Sequence, residues 1–215
     1  LAVRDTLNDN CIPQLSALTG APTWGDVENY PWTTGQLAPY DVETKVYAQQ
    51  IAELYPDGAN VALFHVNNEF GQFYVDTFRE VAADYNFTEV EEETIEAADQ
   101  APPTAQLTNI AAAKPDVIMA VPLGAQCITF LTEVANQKAA NPGWNPAVFV
   151  TNTCASSLIL QLAGAAADGS RFSDTPFRLD RLISRRRKSA RPRCRHRRRR
   201  GGCRPWPGRC RPAGP

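Results

Sequence analysis

Missing from the sequence is any apolar run close to the ~20 residues that a membrane-crossing helix needs. The longest candidate, residues 155–167, is broken by Ser156, Ser157 and Gln161, which excludes a helical span within it. Six cysteines are present (Cys11, Cys127, Cys154, Cys194, Cys203 and Cys210), but they form no CxxC pair and no zinc-finger spacing, and His196 beside the last three adds none. A metal site therefore loses its usual support, and none is expected. Gly-x-Ser-x-Gly, Gly-x-x-x-x-Gly-Lys and Gly-x-Gly-x-x-Gly loops are also absent. Their absence removes the main motif support for a hydrolase, a nucleotide triphosphatase and a dinucleotide enzyme. The chain begins without methionine, charged leader or apolar signal region, and Leu1-Ala-Val-Arg-Asp5 reads like the interior of a domain. The amino terminus is expected to be a cut.

Basic residues are scarce over most of the chain. Residues 1–170 carry five (Arg4, Lys45, Arg79, Lys114, Lys138) against 21 acidic ones, a net of −16, whereas residues 171–215 carry 17 against two, a net of +15. The total of −1 is thus a cancellation between two unlike segments. The first 170 residues alternate apolar runs with polar turns and are long enough to bury a core, which excludes disorder, a collagen-like chain and a coiled coil. The segment 170–215 draws on Arg, Pro, Gly, Cys, Ser and Ala, lacks the composition of a core, and is expected to be disordered. Clustered arginine would suit a nucleic-acid or membrane-surface arm. Arg, Pro, Gly and Ala are also what GC-rich codons spell out of frame, and the abrupt switch near Gly169 favours that reading; no nucleic-acid partner is expected.

Helix and strand signals alternate in the body. Asn60-Val-Ala-Leu-Phe-His-Val66 is a compact apolar run between Pro56-Asp-Gly58 and Asn67-Asn68, the pattern of a strand buried on both faces. Tyr47, Ile51, Leu54 and Tyr55 before it, and Tyr74, Phe78, Val81, Ala82 and Tyr85 after it, form helical stripes. The acids of residues 89–95 predict an edge strand. Thr104 is placed to cap a helix bearing Leu107, Ile110 and Ala111, which Lys114-Pro-Asp116 stops. Val117-Ile-Met-Ala-Val121 and Ala147-Val-Phe-Val150 are further strands, with Cys127, Phe130, Leu131 and Val134 striping the helix between them. Strands beginning near 61, 89, 117 and 147 match successive βαβ units. The predicted fold class is α/β, with a mostly parallel sheet and helices on both faces.

Ligands of such sheets bind at the carboxyl ends of the strands. Those ends are residues 65–71, 121–126 and 151–156, three loops expected on one rim. Asn67, Asn68, Glu69, Phe70, Gln126, Asn152, Thr153, Ser156 and Ser157 supply hydrogen bonds and an aromatic wall, but no nucleophile, base and orienting acid occur together. His65 at a strand end reads as a satisfied buried histidine rather than a base. Glu69 before a helix reads as a dipole partner, and Phe70 either plugs a helix end or walls a ligand.

Val61-Ala-Leu-Phe-His-Val-Asn-Asn-Glu-Phe-Gly71 with its following helix, Lys114-Pro-Asp-Val-Ile-Met-Ala-Val121 and Ala147-Val-Phe-Val-Thr-Asn152 together resemble the second lobe of a type 1 periplasmic solute-binding protein. The family is that of the leucine/isoleucine/valine-binding-protein-like components of ABC importers. Ile12-Pro-Gln-Leu-Ser-Ala-Leu-Thr-Gly20 and Tyr30-Pro-Trp-Thr-Thr34 resemble its last first-lobe strand and the crossover. The likeness covers residues 1–169 and implies a first-lobe remnant at 1–38, a second lobe at 39–169, and an unmatched tail at 170–215.

The resemblance implies an extracytoplasmic binding protein, not an enzyme, whose two lobes close on a small polar solute such as a branched-chain amino acid or amide. It implies an ABC permease as partner of the intact protein and a periplasmic or extracellular location. It implies no cofactor, and membrane attachment only through a lipid anchor that this chain does not carry. By motif, Ser16, Thr19 and Gly20 match the loop holding a ligand carboxylate, Phe70 an aromatic wall, and Leu123 and Gly124 the second lobe's next loop. Asn152 or Thr153 falls where amino-acid binders place an acid for the ammonium, so an amide or carboxylate solute is as compatible as an amino acid. In an exported protein Cys127 and Cys154 would be buried thiols or a disulfide bridging neighbouring βα units. A chain holding one lobe and a strip of the other is expected to bind weakly or not at all, and micromolar affinity would overturn that expectation. The runner-up is a ligand-sensing domain of a receptor or transcription regulator of the same fold. A small α/β enzyme using Glu69, His65 or Cys154 is third.

Overall fold

The computed structural model describes residues 3–173. Helix α1 (Arg4–Asp9), strand β1 (Gln14–Ala17), a 3-10 turn (Pro22–Trp24) and strand β2 (Thr33–Gly35) form an amino-terminal strip in which β1 and β2 pair in parallel. Helix α2 (Tyr40–Leu54) leads into β3 (Ala59–Val66), α3 (Glu69–Ala82), β4 (Phe87–Ile95), α4 (Thr104–Ala113), β5 (Val117–Val121), α5 (Gln126–Ala140), β6 (Ala147–Val150), α6 (Ser157–Ala163) and β7 (Arg171–Phe172). The last five strands make one sheet in the order β4-β3-β5-β6-β7, every pair parallel. The acid-rich strand β4 is an edge, where charge blocks further pairing.

Side chains alternate between the two faces of a strand, so an unbroken apolar run must be covered twice. Val61 and Leu63 of β3, Val117, Met119 and Val121 of β5 and Phe149 of β6 pack with Tyr47, Ile51, Tyr74 and Phe78 of α2 and α3. Ala62, Phe64 and Val66, Ile118 and Ala120, and Val148 and Val150 pack instead with Leu107, Ile110, Phe130, Leu131 and Val134 of α4 and α5. This doubly covered sheet is the α/β architecture expected from the sequence.

Two local devices set where strands begin. Gly58 has φ 109°, and a Cβ there would stand 2.5 Å from the carbonyl oxygen of Asn86, itself left-handed at φ 56°. These two turns release β3 and β4 side by side, two residues earlier than the apolar patterns place them. Thr104 is the first residue of α4 and makes no capping bond, because Pro103 holds the cap position. A further difference lies at the carboxyl end. Arg171 and Phe172 pair with Phe149 and Val150, and Phe172 packs against the α4–α5 side of the core. Those residues fall in the segment that the charge switch assigns to the tail. A two-residue strand is too short to leave a periodic signal, and its arginine sits in an exposed position on the sheet edge. The rest of the 170–215 tail lies outside the described residues.

Candidate functional site

The strand order fixes where a site can form. From β3 the chain moves outward to β4 and then crosses back to β5, so the carboxyl ends of β3 and β5 flank the point at which the winding reverses. The β3–α3 loop is cut tight there. Asn68 Oδ1 accepts from the Gly71 N–H at 3.1 Å and caps α3, and a Cβ at Gly71 would lie 2.0 Å from the Val66 carbonyl oxygen. With the helix pressed against the strand end, Phe70 projects toward the strip. Its ring is 5.1 Å from that of Tyr40 and 5.4 Å from that of Tyr74, edge-on to both.

A cavity of about 450 Å³ opens between this helix start and the strip, lined by Thr19, Pro22, Trp24, Tyr40, Glu69, Phe70 and Phe73 among others. It joins three of the residues singled out from sequence, Thr19, Glu69 and Phe70. Gly20 is buried beside it, and a Cβ there would meet the Ala38 carbonyl oxygen at 2.1 Å and the Tyr40 ring at 2.7 Å, so this glycine lets the strip lie on α2. Ser16 stands apart on exposed β1, its N–H donating to Thr34 Oγ1.

Leu123, Gly124, Asn152 and Thr153 lie on the other two rim loops and do not line this cavity. Thr153 Oγ1 donates to the Pro122 carbonyl at 3.3 Å, and a Cys127–Cys154 disulfide, S–S 2.02 Å, fastens the same two loops. Gln126, almost wholly buried, is spent on structure: its amide donates to the carbonyls of Glu96 and Asp99 and accepts from the Leu123 N–H. Ser156 caps α6 through the Ile159 N–H.

The feature that sequence reasoning missed is Glu43, 2% exposed near the start of α2. Tyr47 and Tyr74 hydroxyls donate to its two carboxylate oxygens at 2.7 Å each, the Asn152 N–H donates at 2.7 Å, and Ser173 Oγ donates as well. Tyr74 also meets Thr151 Oγ1 at 3.1 Å, and Tyr47 lies 2.8 Å from the Val150 carbonyl. Burial first, and then the Glu43 charge, push both phenols far above the ordinary tyrosine value, so they stay protonated donors. A signal existed: Glu43 lies four residues before Tyr47, one turn back along the buried stripe of α2. Beyond this cluster, both amide atoms of Asn152 are buried with no hydrogen-bond partner, an uncommon condition for a polar side chain.

His65 is satisfied and buried, as the sequence indicates. Its Nδ1 meets the Val66 carbonyl at 3.1 Å and its Nε2 meets Glu92 at 3.0 Å. Glu92 in turn accepts from Arg79, whose guanidinium also clamps Glu89. A larger recess of about 650 Å³ lies among the turns at the opposite, amino end of the sheet, lined by Tyr55, Lys114, Asp116 and Trp144 among others. Among the described residues no group of three or more His, Cys, Asp or Glu side chains is placed to hold a metal ion, and no helix is long and apolar enough to cross a membrane.

A parallel, doubly covered sheet with a solute-sized cavity beside the carboxyl end of β3 defines a class of binding fold, and comparison with known proteins agrees. Residues 1–190 match the periplasmic binding protein family, to which the chain belongs. Membership implies a periplasmic or extracellular location. Three solved structures illustrate the fold. A type 1 periplasmic binding protein from Bordetella pertussis Tohama I is 18% identical at a TM-score of 0.65, over 80% of this chain and 45% of its own. An ABC-transporter solute-binding protein from R. palustris, in complex with benzoate, is 17% identical at 0.69, over 86% and 50%. A putative branched-chain amino acid ABC transporter protein from Rhodospirillum rubrum is 18% identical at 0.61, over 84% and 51%. This chain spans about half the length of the structures it matches. No curated protein matches it.

Proposed function

We propose that this chain is part of the extracytoplasmic solute-binding component of an ABC importer, which captures a small polar solute such as a branched-chain amino acid, an amide or a related compound. In this reading residues 1–38 are a strip of the first lobe, residues 39–169 together with β7 are the second lobe, and two-lobe closure completes the site. A permease is the partner of the assembled protein, and any membrane attachment is through a lipid anchor. The observation that carries the reading is the cavity between Thr19–Trp24 of the strip and Glu69–Phe73 of α3, at the rim where such sheets bind ligands. The benzoate and branched-chain amino acid labels of two fold neighbours support a small organic solute.

Ligand-observed NMR on the 215-residue chain, with a panel of amino acids, small amides, choline and benzoate, tests this. Binding of at least one compound in the millimolar range, lost in Phe70→Ala, is the expected result. A panel with no Phe70-dependent binder overturns the reading.

A further inference from the structure

Among the residues lining the rim cavity are four aromatic side chains, Trp24, Tyr40, Phe70 and Phe73, and a single charged one, Glu69. Among the described residues no lysine or arginine lines it. A solute that presents a carboxylate needs donors, and four backbone N–H groups around the cavity are already used. The N–H of Thr19 donates to Ala17, that of Trp24 to Ala21, that of Tyr40 to Gly20, and that of Ala21 to the Thr19 hydroxyl. The Thr19 hydroxyl itself faces the Tyr40 hydroxyl at 3.3 Å.

We infer that the cavity selects a small cationic solute with an apolar shell, of the alkylated-ammonium or amine class, held by the Trp24, Tyr40, Phe70 and Phe73 rings and by the Glu69 carboxylate. The inference rests on the solute-binding reading above and names the charge of the solute. Aromatic rings attract a cation through their quadrupole, and they do so best where water is displaced and where the cation is weakly hydrated, as alkylated ammonium groups are. Glu69 supplies, from the first position of α3, the one carboxylate of the cavity's described lining. Its place at the exposed start of α3 leaves the core untouched when it is changed.

The test titrates the full chain by NMR with choline and with its uncharged carbon isostere, 3,3-dimethylbutan-1-ol, alongside leucine and benzoate. Choline is expected to bind about tenfold more tightly than the isosteric alcohol, an effect of the size that a cation–aromatic contact with one carboxylate supplies. Glu69→Gln is expected to reduce that ratio several-fold with the alcohol's affinity unchanged, and Phe70→Ala to weaken both ligands. An alcohol that matches or exceeds choline overturns the inference. Phe70-dependent binding of leucine or benzoate without binding of choline also overturns it while leaving the solute-binding reading intact. Failure of every compound overturns both.

Discussion

The two parts of the molecule treat the same kinds of residue in opposite ways. In residues 40–173 nearly every large apolar side chain of the strands is buried between helices, whereas in the strip Ile12, Leu15, Leu18 and Val27 are 50%, 69%, 76% and 66% exposed. The strip is held by polar and backbone contacts: Tyr40 N–H to Gly20, the Asn8 amide to Thr33, and Arg4 to the Thr23 carbonyl. The sheet layer therefore carries the stability, while the strip contributes one wall of a cavity. Binding sites form where such a wall meets a rigid rim.

The largest effect that could break this contrast is a pair of truncations. Phe130→Ala, which empties a fully buried position, is expected to cost about 3–5 kcal/mol in urea unfolding, and Leu18→Ala to stay within about 0.5 kcal/mol. Comparable losses would mean that the strip shares the core. Next in size is Glu43. Replacing it with leucine strands the Asn152 N–H and the Ser173 hydroxyl, while Tyr47 and Tyr74 keep Val150 and Thr151 within reach. A loss of about 1–3 kcal/mol is expected, with faster hydrogen exchange at the Asn152 amide and a smaller loss in Glu43→Gln. Unchanged exchange at Asn152 would remove the link between α2 and the β6 rim.

The smallest effect lies on the edge strand. Burial raises the Glu92 carboxyl, but hydrogen bonds from Arg79 and His65 outweigh it and leave the group below its ordinary value of 4.5. A depressed carboxyl stabilises the fold above that ordinary value and loses the contribution as pH falls through the lower folded one. Urea midpoints of the native chain should therefore drop on acidification below about pH 4.5 by slightly more than those of Glu92→Gln, the difference being small because the pair is partly solvated. Identical acid slopes would show that the Arg79–Glu92–His65 contacts contribute nothing.

Much of the fold was legible because its signals are local. The strand at β5 and the edge character of β4 follow from short apolar or acidic runs, and the helices α2, α3 and α5 follow from stripes spaced at three and four residues. The satisfied state of His65 could be argued from its place at the end of a buried strand. The site was less legible. Thr19 and Phe70 meet in one cavity, but Ser16 is spent on β1, and Leu123, Gly124, Asn152 and Thr153 belong to loops knitted to each other. Glu43 escaped because an acid in a first helical turn ordinarily serves the helix dipole, and nothing nearby in sequence announces its partners.

By itself, the sequence determined the order and kind of the elements, since periods of two and 3.6 residues depend only on neighbours along the chain. Which side chains would face one another was decided by tertiary structure alone. Glu43 reaches the Asn152 N–H across 109 positions, and Thr19 reaches Phe70 across the strip–sheet boundary. The first meeting follows from the strand order β4-β3-β5-β6-β7, and the second from the way the strip, a separate sheet of β1 and β2, lies on the start of α2; neither is encoded by a local pattern.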